Sequence, residues 1–178
     1  MAKERAKSEN HLHDTEPRWF AVYTNYKREK LVEKMLKQKQ IDCYLPIQKV
    51  TRKYVRKVRT LELPLISCYI FVKITKKEYV PVLETEYVLK FTKIAQNLLS
   101  IPEAEMETMK RVVGEGVDVS IEPTAMENGD EVEIISGNLT GLKGKLISIE
   151  GKKEVVVELE QMGYSLRMNV DASLLRSL

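Results

Sequence analysis

Residues Arg18–Thr24 (RWFAVYT) are aromatic and β-branched, which predicts a strand with Trp19, Ala21 and Tyr23 on one face. From Asn25 the period changes. Leu31, Val32, Met35 and Leu36 form an apolar stripe at helical spacing with lysines on the other side, so a helix is expected from an Asn25 N-cap to about Gln40. Ile41–Ile47 reads as a short extended segment broken by Pro46. Gln48–Leu63 reads as a long basic hairpin with its tip near Arg56-Lys57; a basic helix competes, but the β-branched content favours strands. Leu65–Ile74 is an apolar strand, Thr75–Leu83 a short helix, Tyr87–Thr92 a strand and Pro102–Val113 a helix opening on proline.

The pattern loosens after that. Residues 114–126 lack a clear period and read as a linker. Beyond them the strands are short and close together: a segment around Val132 and Ile134, one beginning at Lys145, then Val155–Leu159. Gly129, Gly137, Gly141 and Gly144 shape the first of the turns between them, and strands at this spacing predict a small barrel. The expectation is an α+β chain: a disordered tail over 1–16, a helix-flanked sheet domain over 17–113, the linker, and a barrel over 127–178.

Composition adds limits. A chain of 178 residues, 43% hydrophobic and 31% charged, is ordinary for a globular protein. The polar N-terminus carries no apolar leader, and no segment is long and apolar enough to span a bilayer, so a cytoplasmic protein without membrane contact is expected. The only cysteines, Cys43 and Cys68, make no metal-ligand pattern and are expected as free thiols. No metal and no cofactor are expected.

The net charge of +3 conceals segregation. Between Lys27 and Arg59 twelve basic residues accompany three acids, whereas between Glu103 and Glu133 ten acids accompany only Lys110 and Arg111. A basic stretch of this kind marks a nucleic-acid face. Catalysis is not expected. Both histidines, His11 and His13, lie near the N-terminus, no Ser/His/Asp or Cys/His set is present, and Gly141-Leu142-Lys143-Gly144 lies between strands, where it does not open a helix as a phosphate-cradling loop would.

The stretch Gly129–Gly144 (GDEVEIISGNLTGLKG) resembles a KOW motif. Trp19-Phe20-Ala21-Val22-Tyr23, Asp42-Cys43-Tyr44-Leu45-Pro46, Tyr69-Ile70-Phe71-Val72 and the segment Thr85–Phe91 follow in the order found in the NusG family of transcription elongation and antitermination factors. The chain therefore resembles that family over residues 17–178, an NGN-type domain joined to a KOW barrel. It departs where the family has Pro-Gly (Ser67-Cys68 here), Gly-Val (Tyr87-Val88) and Phe-Gly-Arg (near Met162-Gly163-Tyr164). These departures point to a specialised paralogue of the RfaH or UpxY type.

The resemblance implies a non-enzymatic partner of RNA polymerase. Tyr23, Tyr69 and Phe71, with Ile66 at the edge, would receive the polymerase clamp helices; the alternative is that the same aromatics are core. Upstream or non-template DNA would be met by Asn25, Tyr26, Lys27, Arg28, Lys30 and Lys34, and by Arg52, Lys53, Arg56, Lys57 and Arg59 of the hairpin; a solvated helix face is the alternative for the lysines. The barrel would recruit a second partner such as ribosomal protein S10, and the chain would act as a monomer. Two other functions stay open at this point: a housekeeping NusG-type elongation factor, and a ribosome-associated RNA-binding KOW protein.

Overall fold

The computed structural model describes residues 8–54, 57–114, 119–123, 129–149, 152–159 and 163–178, with the backbone alone at 52–54, 148–149 and 152–153. The chain divides into two units, Met1–Leu45 with Ser67–Glu103, and Pro46–Ile66 with Ala104–Leu178.

The first unit is built on an antiparallel sheet in the order β2-β5-β1-β6: β1 Arg18–Thr24, β2 Asp42–Tyr44, β5 Tyr69–Ile74 and β6 Val88–Phe91. Strand β1 lies between β5 and β6, with Phe20 opposite Val72 and Val22 opposite Ile70. All four are fully buried. Helix α1 (Glu29–Gln38) packs on β2 and β5 and buries Val32 and Leu36, two positions of the stripe that the sequence shows. Each such side chain removed from water contributes roughly 1.5–3 kcal/mol.

Four expectations change here. Helix α1 starts at Glu29, four residues after the expected cap, because Asn25–Arg28 is a tight turn in which the Arg28 N–H donates to the Asn25 carbonyl (3.1 Å) and Lys27 takes a φ of 61°. A residue in left-handed backbone cannot continue a right-handed helix backwards. The strand expected over Leu65–Ile74 begins only at Tyr69, since Cys68 is also left-handed (φ 67°). The helix expected over Thr75–Leu83 is two pieces, a 3₁₀ turn at Lys76–Glu78 and a short α2 at Tyr79–Leu83. Thr75 and Glu78 form a capping box at its start, where the Thr75 N–H and hydroxyl both donate to Glu78 Oε2.

The fourth change is the N-terminus: residues 8–16 do not hang free. Asn10 forms a parallel bridge to Leu98, the Leu98 N–H donates to the Glu9 carbonyl (2.9 Å) and the His11 N–H to the Leu98 carbonyl (2.9 Å). The Ser100 N–H donates to His11 Nδ1 (3.1 Å), and the Lys76 N–H to the His13 carbonyl (2.9 Å). Backbone pairing holds a segment whose polar composition gives no periodic signal.

In the second unit β3 (Ile47–Tyr54) and β4 (Lys57–Pro64) form a two-stranded hairpin in continuous register from Ile47–Pro64 to Tyr54–Lys57. Helix α3 spans Glu103–Gly114. A six-stranded antiparallel sheet follows in the order β12-β8-β9-β10-β11-β7, from β7 Val119–Pro123, β8 Asp130–Ile134, β9 Lys143–Ile149, β10 Lys152–Leu159, β11 Tyr164–Met168 and β12 Leu175–Ser177. Val132, Ile134, Val155, Leu159, Leu166 and Met168 are its buried core. Strand β7 falls within the expected linker; it is a strand because Val119, Ser120, Ile121, Glu122 and Pro123 pair residue by residue with β11.

Candidate functional site

The four glycines of the C-terminal motif do two different jobs. Gly137 and Gly141 take φ values of 81° and 85° in the turn between β8 and β9. Gly129 and Gly144 instead lie where backbones nearly touch: a Cβ on Gly144 would come within 2.5 Å of the Val156 carbonyl oxygen, and one on Gly129 within 2.6 Å of the Leu146 oxygen. Larger residues would push β9 off its neighbours. The turn is also held from α3, whose Arg111 donates to the Asn138 and Thr140 carbonyls (3.0 Å each). A shallow cavity of about 210 Å³ beside it is lined by Ile134, Gly137, Asn138, Asn169, Asp171 and Leu174.

In the first unit, register places Tyr23 opposite Tyr69, and Ala21 opposite Phe71, on one sheet face. The Tyr23 and Tyr69 rings meet edge to face, 5.2 Å apart at 72°, and both are half-buried. Lys90 stands opposite Tyr23 on β6, its Nζ 5.8 Å from that ring. Cys68 beside Tyr23 pushes the phenol above its ordinary pKa by favouring the protonated hydroxyl. Tyr69 and Lys90 also border an open notch of about 500 Å³ with Phe91, Thr92, Ala95 and Gln96. This end of the sheet is aromatic, cationic and accessible.

Two residues assigned to this surface from the sequence are not accessible. Phe71 is 1% and Ile66 5% exposed. Phe71 sits in the middle of β5 with Ala21 on one flank and Tyr44 on the other. For Phe71 the core alternative holds, and the accessible pair is Tyr23 and Tyr69.

The basic residues fall in three places. Tyr26, 64% exposed, carries Lys27 Nζ at 5.1 Å from its ring, and the Arg28 guanidinium lies 5.1 Å from the ring of Tyr87. Asn25 is exposed in the same turn. Lys30 and Lys34 lie exposed on α1, where they border a shallow surface depression with Glu33, Lys37 and Gln38. Lys37 pairs with Glu33 (2.7 Å), which raises its pKa. On the hairpin, Arg52 stands opposite Arg59, Lys53 opposite Val58 and Lys57 opposite Tyr54, with Lys57 and Arg59 exposed. Arg56 lies outside the described residues. The N-terminal turn and helix belong to one unit and the hairpin to the other.

Two features escaped the sequence reading. Tyr87 is left-handed (φ 69°) and its ring faces Arg28; the one signal for it was a tyrosine where the resembled family has glycine. Glu29 is buried at the start of α1, where its Oε1 accepts from the Cys68 N–H (2.7 Å) and locks the left-handed turn before β5. Nothing in the local pattern marks an acidic residue for burial. Among the described residues no group of three His, Cys, Asp or Glu side chains is placed to hold a metal ion, and no helix is long and apolar enough to cross a membrane.

The chain is α+β, with an NGN-like antiparallel sheet followed by a strand-rich KOW region. The family described as "Transcription termination factor nusG" matches residues 17–110, and the KOW motif matches residues 128–160. The chain belongs to the NusG family, whose members are transcription factors and not enzymes. Among solved structures it is similar to NusG of Thermotoga maritima, described under "Domain interaction", at 21% identity and a TM-score of 0.56 over 91% of this chain and 97% of that one. It is also similar, at 21% identity and a TM-score of 0.31, to a chain of the MjSpt4:Spt5 complex, over 90% of this chain and 97% of that one. No curated protein matches it.

Proposed function

We propose that this chain is an elongation and antitermination factor that binds the clamp helices of RNA polymerase through Tyr23 and Tyr69. The observation that carries the reading is the half-buried Tyr23–Tyr69 pair, flanked by Lys90 and an open notch, at one end of the first sheet. Aromatic rings packed at a surface and backed by a rigid sheet are the usual anchors of a protein interface. Bound there, the chain holds polymerase closed around DNA and disfavours its paused state, a population shift produced by differential binding. Upstream or non-template DNA is met by Lys27, Arg28, Lys30 and Lys34 and by the basic hairpin, and the KOW region recruits a second partner such as ribosomal protein S10. The factor works as a monomer in the cytoplasm, on the nucleoid.

The departures at Cys68, Tyr87 and the Met162-Gly163-Tyr164 loop support a specialised paralogue of the RfaH or UpxY type over a housekeeping factor. Occupancy of polymerase along the genome separates the two: confinement to one or a few long operons means the first, general occupancy the second. The interface itself is tested by capturing polymerase on the full chain. Wild type retains it and the Tyr23→Ala, Tyr69→Ala double variant does not, although the double variant still unfolds in a cooperative thermal transition. Undiminished capture by the double variant overturns the assignment.

A further inference from the structure

Three residues with full side chains adopt left-handed backbone at one place: Lys27 (φ 61°), Cys68 (φ 67°) and Tyr87 (φ 69°). The end of β1 ties two of them together. The Thr24 N–H donates to the Cys68 carbonyl (2.8 Å) and the Asn25 N–H to the Tyr87 carbonyl (2.9 Å). Lys27 is two residues further on, in the turn closed by the Arg28 N–H on the Asn25 carbonyl. Such backbone is unfavourable for any residue with a Cβ, and glycine would adopt it freely. Strain of this kind gathers at working sites, where the surrounding fold holds it in place.

Tyr87 does not repay its strain in the core. Its ring is half-buried, the neighbouring Glu86 carboxylate raises the phenol pKa, and the Arg28 guanidinium lies 5.1 Å from the ring centre. Tyr26, which follows Asn25 and its hydrogen bond to the Tyr87 carbonyl, is largely exposed, with Lys27 over its ring. Two tyrosines, each with its own cation, therefore flank the Asn25 turn. We propose that Tyr87, positioned by Arg28, is a stacking surface for an unpaired DNA base, and that Tyr26 takes a neighbouring base of the same strand. This rests on the DNA-contact reading given above and adds Tyr87 to it. A base face stacks on tyrosine whatever its sequence, while the adjacent cations neutralise phosphates. Glu86, beside the phenol, repels phosphate from its side and leaves the Arg28 side as the path of the strand.

The backbone makes the test clean. Tyr87→Gly removes the ring and relieves the left-handed strain, so the fold is kept and the thermal midpoint stays level or rises. Fluorescence anisotropy of the full chain with a short labelled single-stranded oligodeoxynucleotide at low salt is expected to show binding about tenfold weaker in Tyr87→Gly, with Tyr87→Phe near wild type. Affinity for a duplex of the same sequence, whose bases are already stacked, is expected to be unchanged. Unaltered single-strand affinity in Tyr87→Gly overturns the proposal, as does an equal loss on single strand and duplex, or a loss in Tyr87→Phe as large as in Tyr87→Gly. If wild type binds neither DNA form in a salt-dependent way, the DNA-contact reading falls too. If wild type binds with a steep salt slope and Tyr87→Gly matches it, only the role of Tyr87 falls.

Discussion

One face of the β1–β5 ladder ends in aromatics at both extremities, and the two ends are finished differently. At one end Trp19 stands opposite Lys73 and is 3% exposed. The Ile101 N–H donates to the Trp19 carbonyl (2.8 Å), the indole Nε1 donates to Glu103 Oε2 (3.1 Å), and Lys73 Nζ pairs with the same carboxylate (2.8 Å) while lying 5.8 Å from the indole ring. At the other end Tyr23 and Tyr69 hold each other edge to face and stay half-open beside Cys68 and Lys90. Strand alternation assigns both pairs to the same face. What separates them is the return of a distant segment, Ile101–Glu103, to one end only. An aromatic on an open sheet face is therefore core or contact according to what the rest of the chain lays over it.

The sharpest way to break this contrast is to remove each aromatic in turn. Trp19→Ala is expected to cost about 3–5 kcal/mol, the range for emptying a buried large aromatic site. Tyr69→Ala is expected to cost much less stability and to weaken polymerase capture instead. Chemical denaturation of the full chain compares them; equal losses at Trp19 and Tyr69 would place both ends in the core.

A second contrast is between covered and open polar groups on the neighbouring strand β2. Burial pushes Tyr44 up to about 12 and the Cys43 thiol up to about 11 from its ordinary 9.0. The fold keeps both groups protonated at pH values where the unfolded chain has lost the protons. Their stabilising contribution is therefore complete below about pH 9 and drains away as the pH rises through about 11 and about 12. Thermal midpoints measured from pH 8 upward should fall over that window, and Cys43 should react slowly with thiol reagents at pH 8. Midpoints that stay flat to pH 12 would mean that Cys43 and Tyr44 are open to water.

The smallest effect expected is that of Glu103→Gln. The amide oxygen still accepts from the Trp19 indole, while the ion pair with Lys73 is lost. With both side chains partly exposed, the loss should stay below about 1 kcal/mol. A larger loss would show that the pair, rather than the packing of Trp19, holds that end closed.

Much of the fold was legible in the pattern. The apolar run Trp19–Val22, the Val32–Leu36 stripe, the alternation in Tyr69–Ile74 and the glycines of the C-terminal motif each declare a local geometry, because strand and helix periods are properties of consecutive residues. The hairpin was legible from β-branching, although nothing in the pattern announced that, among the described residues, β3 and β4 would form a two-stranded sheet of their own. Strand β7 was missed because Val119–Pro123 is short and half polar, and its strand character comes from pairing with β11, more than forty residues away. The folded segment 8–16 was missed for the same reason: its partners are Leu98, Ser100 and Lys76.

The candidate site divides along the same line. Tyr23, Tyr69, Arg28 and the basic hairpin could be singled out in the sequence, since an aromatic or a cation is visible as a residue type. Their accessibility could not. Phe71 and Tyr69 are two residues apart on one face of one strand, yet Phe71 is buried and Tyr69 is half-open. By itself the sequence determined the elements, the faces and the charge segregation, because these depend on neighbours along the chain. Only the tertiary structure decided which aromatics are core, which residues carry left-handed backbone and which tyrosine Arg28 meets, because burial and strain depend on segments that the chain brings together from far apart.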